Sequence, residues 1–337
     1  MAYIGVATLS FEKGYHVGWR EARRIIDHTT LLRALLHVAH LTGSGGCAEK
    51  LLRGGLEASA LLPALPAGKE VRLLAPFPGI PCLGKATRIR GLYLTLTTLR
   101  ELLAHISQCL QRGGTPVARE LKLGSVIVDC NGAPAQSLEL ARSGFLACFN
   151  DECKALAPYA SEELYVMVAE YRNRIDRMSG AADLFETYGY KPLTPHWLVF
   201  RGDRDAVECG FALLEILQRF GLGGLRSRGW GRFKLSREVA INPGDHEVLA
   251  TSSGWGRGVN YTLGLMTPGK WVDLEKTFAT REVVMGRSGP SNNEYKLPVV
   301  YAMDVGSIVS AREIPSPRVL SLASGAVMIF NPVVVHA

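Results

Sequence analysis

The sequence predicts an α+β fold in two unequal parts, and three observations carry that prediction. Residues 3–11 read as a strand that gives way, past a basic loop, to a helix. A later helix ending near Phe220 runs through a glycine-rich loop into a strand that closes at Leu235. Beyond Asn242 the apolar segments are short and separated by Gly and Pro, which favours strands over helices. A chain of 337 residues with 47% hydrophobic content is long enough for about two domains with a real core.

Each element has its own local reason. Residues 3–11 are rich in β-formers, and Gly14 breaks them. Leu31, Leu32, Leu35, Val38, Ala39 and Leu41 recur at helical spacing, with Gly43 where a C-cap falls. Residues 42–66 carry weak signals. From Val71 an apolar strand leads through Pro76-Phe77-Pro78 to an alternating stretch with Lys85, Arg88 and Arg90. That stretch reads either as a projecting basic hairpin or as an edge strand with solvated charges. A helix follows over 98–112, with Thr98 and Glu101 as a capping box. Residues 119–158 are irregular apart from a strand at 125–129. A strand at 164–171 delivers Arg172, Arg174 and Arg177, and another at 197–200 enters a helix with Asp205 and Glu208 as its capping pair. Val207, Phe211, Leu214 and Leu217 give that helix its apolar face. The order fits a βαββαβ, ferredoxin-like (RRM-like) domain over residues 1–240 with a large insertion at about 45–160. Residues 241–337 form a smaller, mostly β part with strands at 260–266, 282–285, 297–303 and 326–330 and a mobile loop at 286–293.

The stretch 219–237, RFGLGGLRSRGWGRFKLSR, is the densest in chemical content. It carries Gly221, Gly223, Gly224, Gly229 and Gly231, six basic residues including Arg226, Arg228 and Arg232, and no acid. Such a loop suits a polyanion. Its order is helix, loop, strand, whereas a dinucleotide fold places phosphate at the start of a helix that follows the loop. Trp230 and Gly231 after Gly229 exclude a P-loop, which needs Lys and Ser/Thr there. Because the first and last strands of a βαββαβ sheet are neighbours, His16, Arg20, Arg23, Arg24 and His28 after the first strand can join this loop. Trp230 is either a core residue or, like Trp19, a stacking platform for bases. The loop's glycine N–H groups are candidate phosphate donors.

A net charge of +7 favours an acidic partner. The seven cysteines are odd in number, scattered and without a CxxC pair, so buried thiols are expected in place of zinc or disulfides. His37 and His40 lie three apart without a third ligand, and no metal or cofactor site is expected. No apolar run reaches bilayer length and no signal-like N-terminus is present, so the expected location is cytoplasmic, with no membrane partner.

The string GLGGLRSRGWGRFKL after a helix resembles the G-rich loop of the RAMP superfamily of CRISPR RNA-binding proteins. His16-Val17-Gly18, IIDHTTLLRALL, the PFP segment and RNRIDR at 172–177 are similar to segments of one branch. That branch is the Cas five-like group, represented by the fourth subunit of the type III-A Csm complex. The resemblance implies two ferredoxin-like domains and a non-catalytic subunit that grips the crRNA 5′ handle. Its implied partners are a large Cas ten-type subunit and the backbone RAMP subunits of the Csm complex. The implied RNA-binding set is His16, Arg20, Arg23, Arg24, His28, Lys85, Arg88, Arg90, Arg172, Arg174, Arg177, Gly221, Gly223, Gly224, Arg226, Ser227, Arg228, Gly229 and Arg232. Two alternatives stay open. One is a metal-independent RNA-processing endonuclease using His16 or His28 as general base and acid, with Asp27 separately a candidate to assist cleavage of a target strand, and the other is the equivalent subunit of the Cmr complex.

Overall fold

The computed structural model describes residues 2–336 except 19–21, 85, 123, 132, 142–143, 150, 161–162, 176–177, 179–181, 253, 286–297 and 322–326. The loop expected at 286–293 thus lies outside the described residues. Strand β1 (Tyr3–Phe11) leads to helix α1 (His28–Leu41), whose N-terminus is capped by Asp27 accepting from the Thr30 N–H at 2.8 Å. Gly43, at φ +68°, ends α1 where a left-handed residue is needed. The weak stretch that follows folds as α2 (Gly45–Leu52), β2 (Leu56–Ala58) and β3 (Leu62–Ala67).

The inserted segment contains β4 (Glu70–Pro76), β5 (Cys82–Leu83), α3 (Ala86–Arg90), β6 (Tyr93–Thr95) and α4 (Leu96–Gln111). Arg88 and Arg90 therefore sit on a helical turn, neither a hairpin nor an edge strand. The α4 cap is Thr95, whose hydroxyl accepts from the Thr98 N–H at 3.1 Å, so the helix starts earlier than the Thr98–Glu101 pair suggested. The supposedly irregular stretch is a sheet of β7 (Pro116–Lys122), β8 (Ser125–Cys130), β9 (Ala133–Leu140) and β10 (Ala147–Cys148), ordered β10-β9-β8-β7-β5. After α5 (Glu152–Leu156) the chain makes a two-stranded ribbon, β11 (Tyr165–Ile175) against β12 (Ala182–Pro192), in unbroken antiparallel register.

It then returns through β13 (His196–Gly202), α6 (Arg204–Phe220) and β14 (Phe233–Ser236). Asp203, accepting from the Ala206 N–H at 2.6 Å, caps α6, two residues before the expected Asp205. The main sheet runs β14-β1-β13-β3-β4-β6, with β2 also on β13. Within it β14, β1, β13 and the interrupted β2–β3 strand take the order 4-1-3-2 of a βαββαβ unit. Because β2 and β3 fill the second position of that unit, residues 56–67 belong to it and not to an insertion that starts near residue 45.

Alternation along β1 and β13 divides the core. Ala7, Leu9, Leu198 and Phe200 face α1 and α6, meeting Leu31, Leu35, Phe211 and Leu214. Trp197 and Val199 face the other way, toward Leu99, Leu103 and Ile106 of α4. The C-terminal part supplies α7 (Pro243–Thr251), β15 (Gly258–Thr262), β16 (Arg281–Val284), β17 (Val300–Met303), β18 (Ile308–Ala311), β19 (Arg318–Ser321), β20 (Val327–Phe330) and β21 (Val334–His336). Its three-stranded sheet is β18-β15-β21, and Val248, Tyr261, Ile308 and Val335 lie in the same core cluster as α4. The core is thus continuous across residue 240. A buried polar knot reinforces the join. Asp245 of α7 is fully buried and accepts from Arg72 Nε at 2.9 Å, the Leu73 N–H at 3.0 Å and the Thr97 hydroxyl at 2.9 Å.

Six of the seven cysteines are paired, against the expectation of free thiols. The bridges are Cys47–Cys209, Cys109–Cys130 and Cys148–Cys153, and Cys82 is free. Pairing partners up to 162 positions apart leave no spacing signal in the chain. Among the described residues no helix is long and apolar enough to cross a membrane.

Candidate nucleic-acid interface

The glycine loop and the exit of β1 are laced together by their backbones. The Gly224 N–H donates to His16 O at 2.7 Å, the Gly231 N–H to Gly14 O at 2.7 Å, and the Leu222 N–H to Gly231 O at 2.9 Å. A side chain at Gly231, φ +76°, would put its Cβ 2.0 Å from Leu222 O, and one at Gly223, φ +92°, would meet His16 O at 2.7 Å. Arg226–Arg228 form one 3-10 turn between left-handed Leu225 and Gly229.

These bonds correct the expected chemistry of the loop. The N–H groups of Gly221, Gly224, Gly229 and Gly231 are all spent on backbone carbonyls, leaving Gly223 as the one loop glycine without such a bond. The glycines therefore shape the loop, and its arginines carry its capacity for anions. Arg226 and Arg232 have no carboxylate partner among the described residues, and Arg232 is exposed. Arg228 lies over the Phe185 ring at 5.3 Å, which leaves its charge unneutralised. Ser227 between them is exposed.

The β11–β12 ribbon forms the other wall. Tyr15 N–H donates to Tyr190 O at 2.9 Å, and His16 Nδ1 lies 2.6 Å from Tyr188 O. A bond from Nδ1–H to that carbonyl fixes the tautomer and leaves Nε2 as the acceptor. Arg24 lies over Tyr190 at 5.7 Å. Glu170 pairs with Lys13 and with Arg172, the latter at 2.7 Å, and accepts from Trp230 Nε1 at 3.3 Å. Lys13 first, then Arg172, hold its carboxyl well below the usual range, at about 2. Trp230 is fully buried and stacks on no base; a Cβ at Gly189 would fall 2.4 Å from its ring.

Other expected site residues lie elsewhere. His28 is fully buried between the two halves, its ring nitrogens each 3.2 Å from a backbone N–H, of Leu265 and of Asn331. A neutral ring accepts from one of these at a time and an imidazolium from neither, and burial pushes His28 down to about 4. His28 is a core residue, and a Cβ at Gly264 would meet it at 2.5 Å. Asp27 caps α1, its carboxylate accepting from the Thr30 N–H and from the hydroxyls of Thr29 and Thr30. Arg23 reaches Glu282 and, at 2.9 Å, Val283 O, tying the β1 exit to the C-terminal part. Arg88 pairs with Glu120 at 2.6 Å, and no bond joins Arg88 or Arg90 to the glycine loop among the described residues. Arg20, Lys85 and Arg177 lie outside the described residues, as does Trp19, and so does the side chain of Arg174. Lys13, Glu170 and Phe185 were missed because ribbon pairing, unseen in sequence, brings them together.

No protein-family profile matches the chain, and no curated protein does. Among solved structures, a chain of the Csm3–Csm4 subcomplex in the type III-A CRISPR–Cas interference complex matches with a TM-score of 0.58 at 12% identity, over 99% of both chains. A chain of the type III-B Cmr-beta complex bound to cognate target RNA aligns over 92% of this chain and 86% of its own, at 11% identity and a TM-score of 0.43. The first match establishes a shared overall fold from end to end.

Proposed function

We propose that this chain is a non-catalytic RNA-binding subunit of a type III CRISPR effector complex of the Csm kind. In this reading it holds the crRNA 5′ handle and links a large Cas ten-type subunit to the filament of backbone RAMP subunits. The observation that carries the reading is the set Arg226, Arg228 and Arg232, free of carboxylate partners, on a rigid glycine loop. Such a loop holds several fixed positive charges against a backbone that carries one phosphate per nucleotide. The fold shared with a chain of the Csm3–Csm4 subcomplex supports the same reading. The 4-1-3-2 unit is the first ferredoxin-like domain, and the part from 241 is a reduced second one.

The test is purification of the tagged protein from its host, with the bound RNA sequenced and partners identified. Short RNAs sharing one 5′ sequence beside a large Cas ten-type protein support the role, whereas Cmr partners reassign the complex and absence of RNA removes the role. One observation keeps a nuclease reading in view: His16 is oriented through Nδ1 with Nε2 left as acceptor. Metal-free cleavage of repeat RNA that disappears in His16→Ala would establish that reading instead.

A further inference from the structure

The string Ser-Xaa-Gly-Trp-Gly-Arg occurs twice, at 227–232 in the glycine loop and again at 252–257. Each copy links a helix to a strand, α6 to β14 in the first and α7 to β15 in the second. Side chains hold the frame of the second copy. Buried Arg201 donates to Ser252 O, and His336 Nε2–H donates to Gly254 O. The Gly256 N–H donates to the Oδ1 of buried Asn260 at 3.0 Å, and Asn260 Nδ2 returns to Gly256 O at 2.9 Å and Gly258 O at 2.8 Å.

The two tryptophans differ in what covers them. Trp230 is fully buried, whereas Trp255 is half-buried and meets half-buried Trp271 edge to face, with ring centroids 5.1 Å apart and planes at 73°. Strand pairing brings their segments together. Gly258 lies opposite Ala311, Ala311 also bridges Val272, and the Arg312 N–H donates to Trp271 O at 2.8 Å. Met266, Val272, Met303 and Val309 form the floor under both rings. A Cβ at Gly269 would fall 2.6 Å from Trp271 Nε1, so that turn is shaped around the indole. Two indoles at this angle make a corner in which a flat ring stacks on one and meets the other with its edge.

We infer that Trp255 and Trp271 form a second nucleotide subsite, which takes an unpaired base of single-stranded RNA, with Arg257 and Lys270 beside it for the flanking phosphates. This rests on the RNA-binding reading proposed above but not on the arginines of the first loop. Exposed Arg257 and Lys270 stand two residues and one residue from the rings, without a carboxylate partner among the described residues. An indole corner also suits a cation, but these two charges disfavour one and favour a nucleotide. Asp273 is engaged by Arg312 at 3.2 Å, while Glu275 and Glu313 on the same segments keep the net charge small. Stacking therefore supplies most of the affinity. The anchor Arg201 pairs with Ile4 near the start of β1, whereas the first loop joins its end at Phe11. About 20–25 Å of strand separates the two places.

The experiment is ultraviolet cross-linking of the full chain to a single-stranded RNA carrying 5-iodouridine, with joined peptides identified by mass spectrometry, beside anisotropy titrations over a KCl series. Cross-links to Trp255 or Trp271 are expected in wild type. Trp255→Ala should weaken binding about tenfold at every salt concentration, with an unchanged salt slope because no phosphate contact is lost. Trp255→Phe keeps an aromatic face and most of the affinity, which guards against a variant that merely misfolds. Cross-links confined to other segments, or wild-type affinity in Trp255→Ala, overturn the subsite and leave the RNA-binding reading standing. So does a native complex in which a protein partner instead of RNA covers both rings. Absence of RNA binding by wild type sinks the proposed function itself.

Discussion

The ion-pair map separates arginines that are free to meet phosphate from arginines already occupied. Among the described residues Arg226, Arg228 and Arg232 have no carboxylate partner, whereas Arg23 pairs with Glu282 and Arg88 with Glu120. Replacing the first three by Gln removes three phosphate contacts and leaves the loop's backbone bonds intact, because those bonds involve glycines and main-chain carbonyls. At about 0.7 per contact for a single strand, the slope of log affinity against log salt becomes shallower by about 2. Between 50 and 200 mM salt that difference changes the ratio of wild-type to variant affinity by about 20-fold. The assay is fluorescence anisotropy with labelled RNA over a KCl series, with thermal melting to confirm that the variant folds. Arg88→Gln serves as the comparison and leaves the slope within one contact of wild type. Equal slopes for the triple variant and wild type, or a larger change from Arg88→Gln, would refute the assignment of free and occupied charges.

The disulfides should stabilise in the order of the loops they close. Chain-entropy arithmetic gives about 5 kcal/mol for Cys47–Cys209, separated by 162 residues, about 3 for Cys109–Cys130 at 21, and about 2 for Cys148–Cys153 at 5. Denaturant titrations of paired Cys→Ala variants check the order, and seven titratable thiols in the unfolded, unreduced protein would contradict the pairing. Stability should rise with pH between about 4.5 and 6. His28 and His196, depressed to about 4, are neutral in the fold but take protons on unfolding below the ordinary value. Asp304, raised to about 6, acts oppositely: its contribution is full at low pH and is lost as pH rises through 6. Two protons gained against one released give roughly 1.4 kcal/mol per pH unit, and a denaturation midpoint that falls over this range would exclude the assignment. Glu170→Gln should lower the melting temperature and weaken RNA binding, since Lys13, Arg172 and the Trp230 indole lose the carboxylate that fastens the ribbon to the loop. Weaker binding with an unchanged melting temperature would count against that role.

Local signals were readable and tertiary ones were not. The opening strand was legible to the residue because β-formers end against a glycine, and the apolar faces of α1 and α6 followed from their spacing. The caps of α4 and α6 were misplaced because two candidate residues stood near each start, Thr95 and Thr98, Asp203 and Asp205, and only geometry chooses between them. The insertion looked irregular because β7, β8 and β9 are short strands stabilised by pairing with each other and by α4 beneath them. His28 was placed in the RNA-binding set because the partners that bury it, Leu265 and Asn331, lie 237 and 303 positions away. The loop's arginines stood out by composition, and the structure leaves Arg226, Arg228 and Arg232 without a carboxylate partner among the described residues. Which of its N–H groups remained available depended on carbonyls from the β1 exit that no local pattern announces.

One acid at the centre of a basic surface needs its own explanation. Glu170 lies between Lys13 of the β1 exit, Arg172 of the ribbon and the indole N–H of Trp230 at the end of the glycine loop. Without it Lys13 and Arg172 would present like charges to one another, and the buried indole N–H would lose its acceptor. With it the ribbon is fastened to the loop before any polyanion arrives. Gly189 lets Trp230 slot against the ribbon, and Tyr188 O orients His16 from the same strand. For the proposed RNA ligand, such a preformed wall would lower the conformational cost of binding, since the arginines need not also order the chain that carries them. In the proposed RNA-binding role, affinity then comes from charges the fold leaves unpaired, held on a backbone frame that one carboxylate keeps closed.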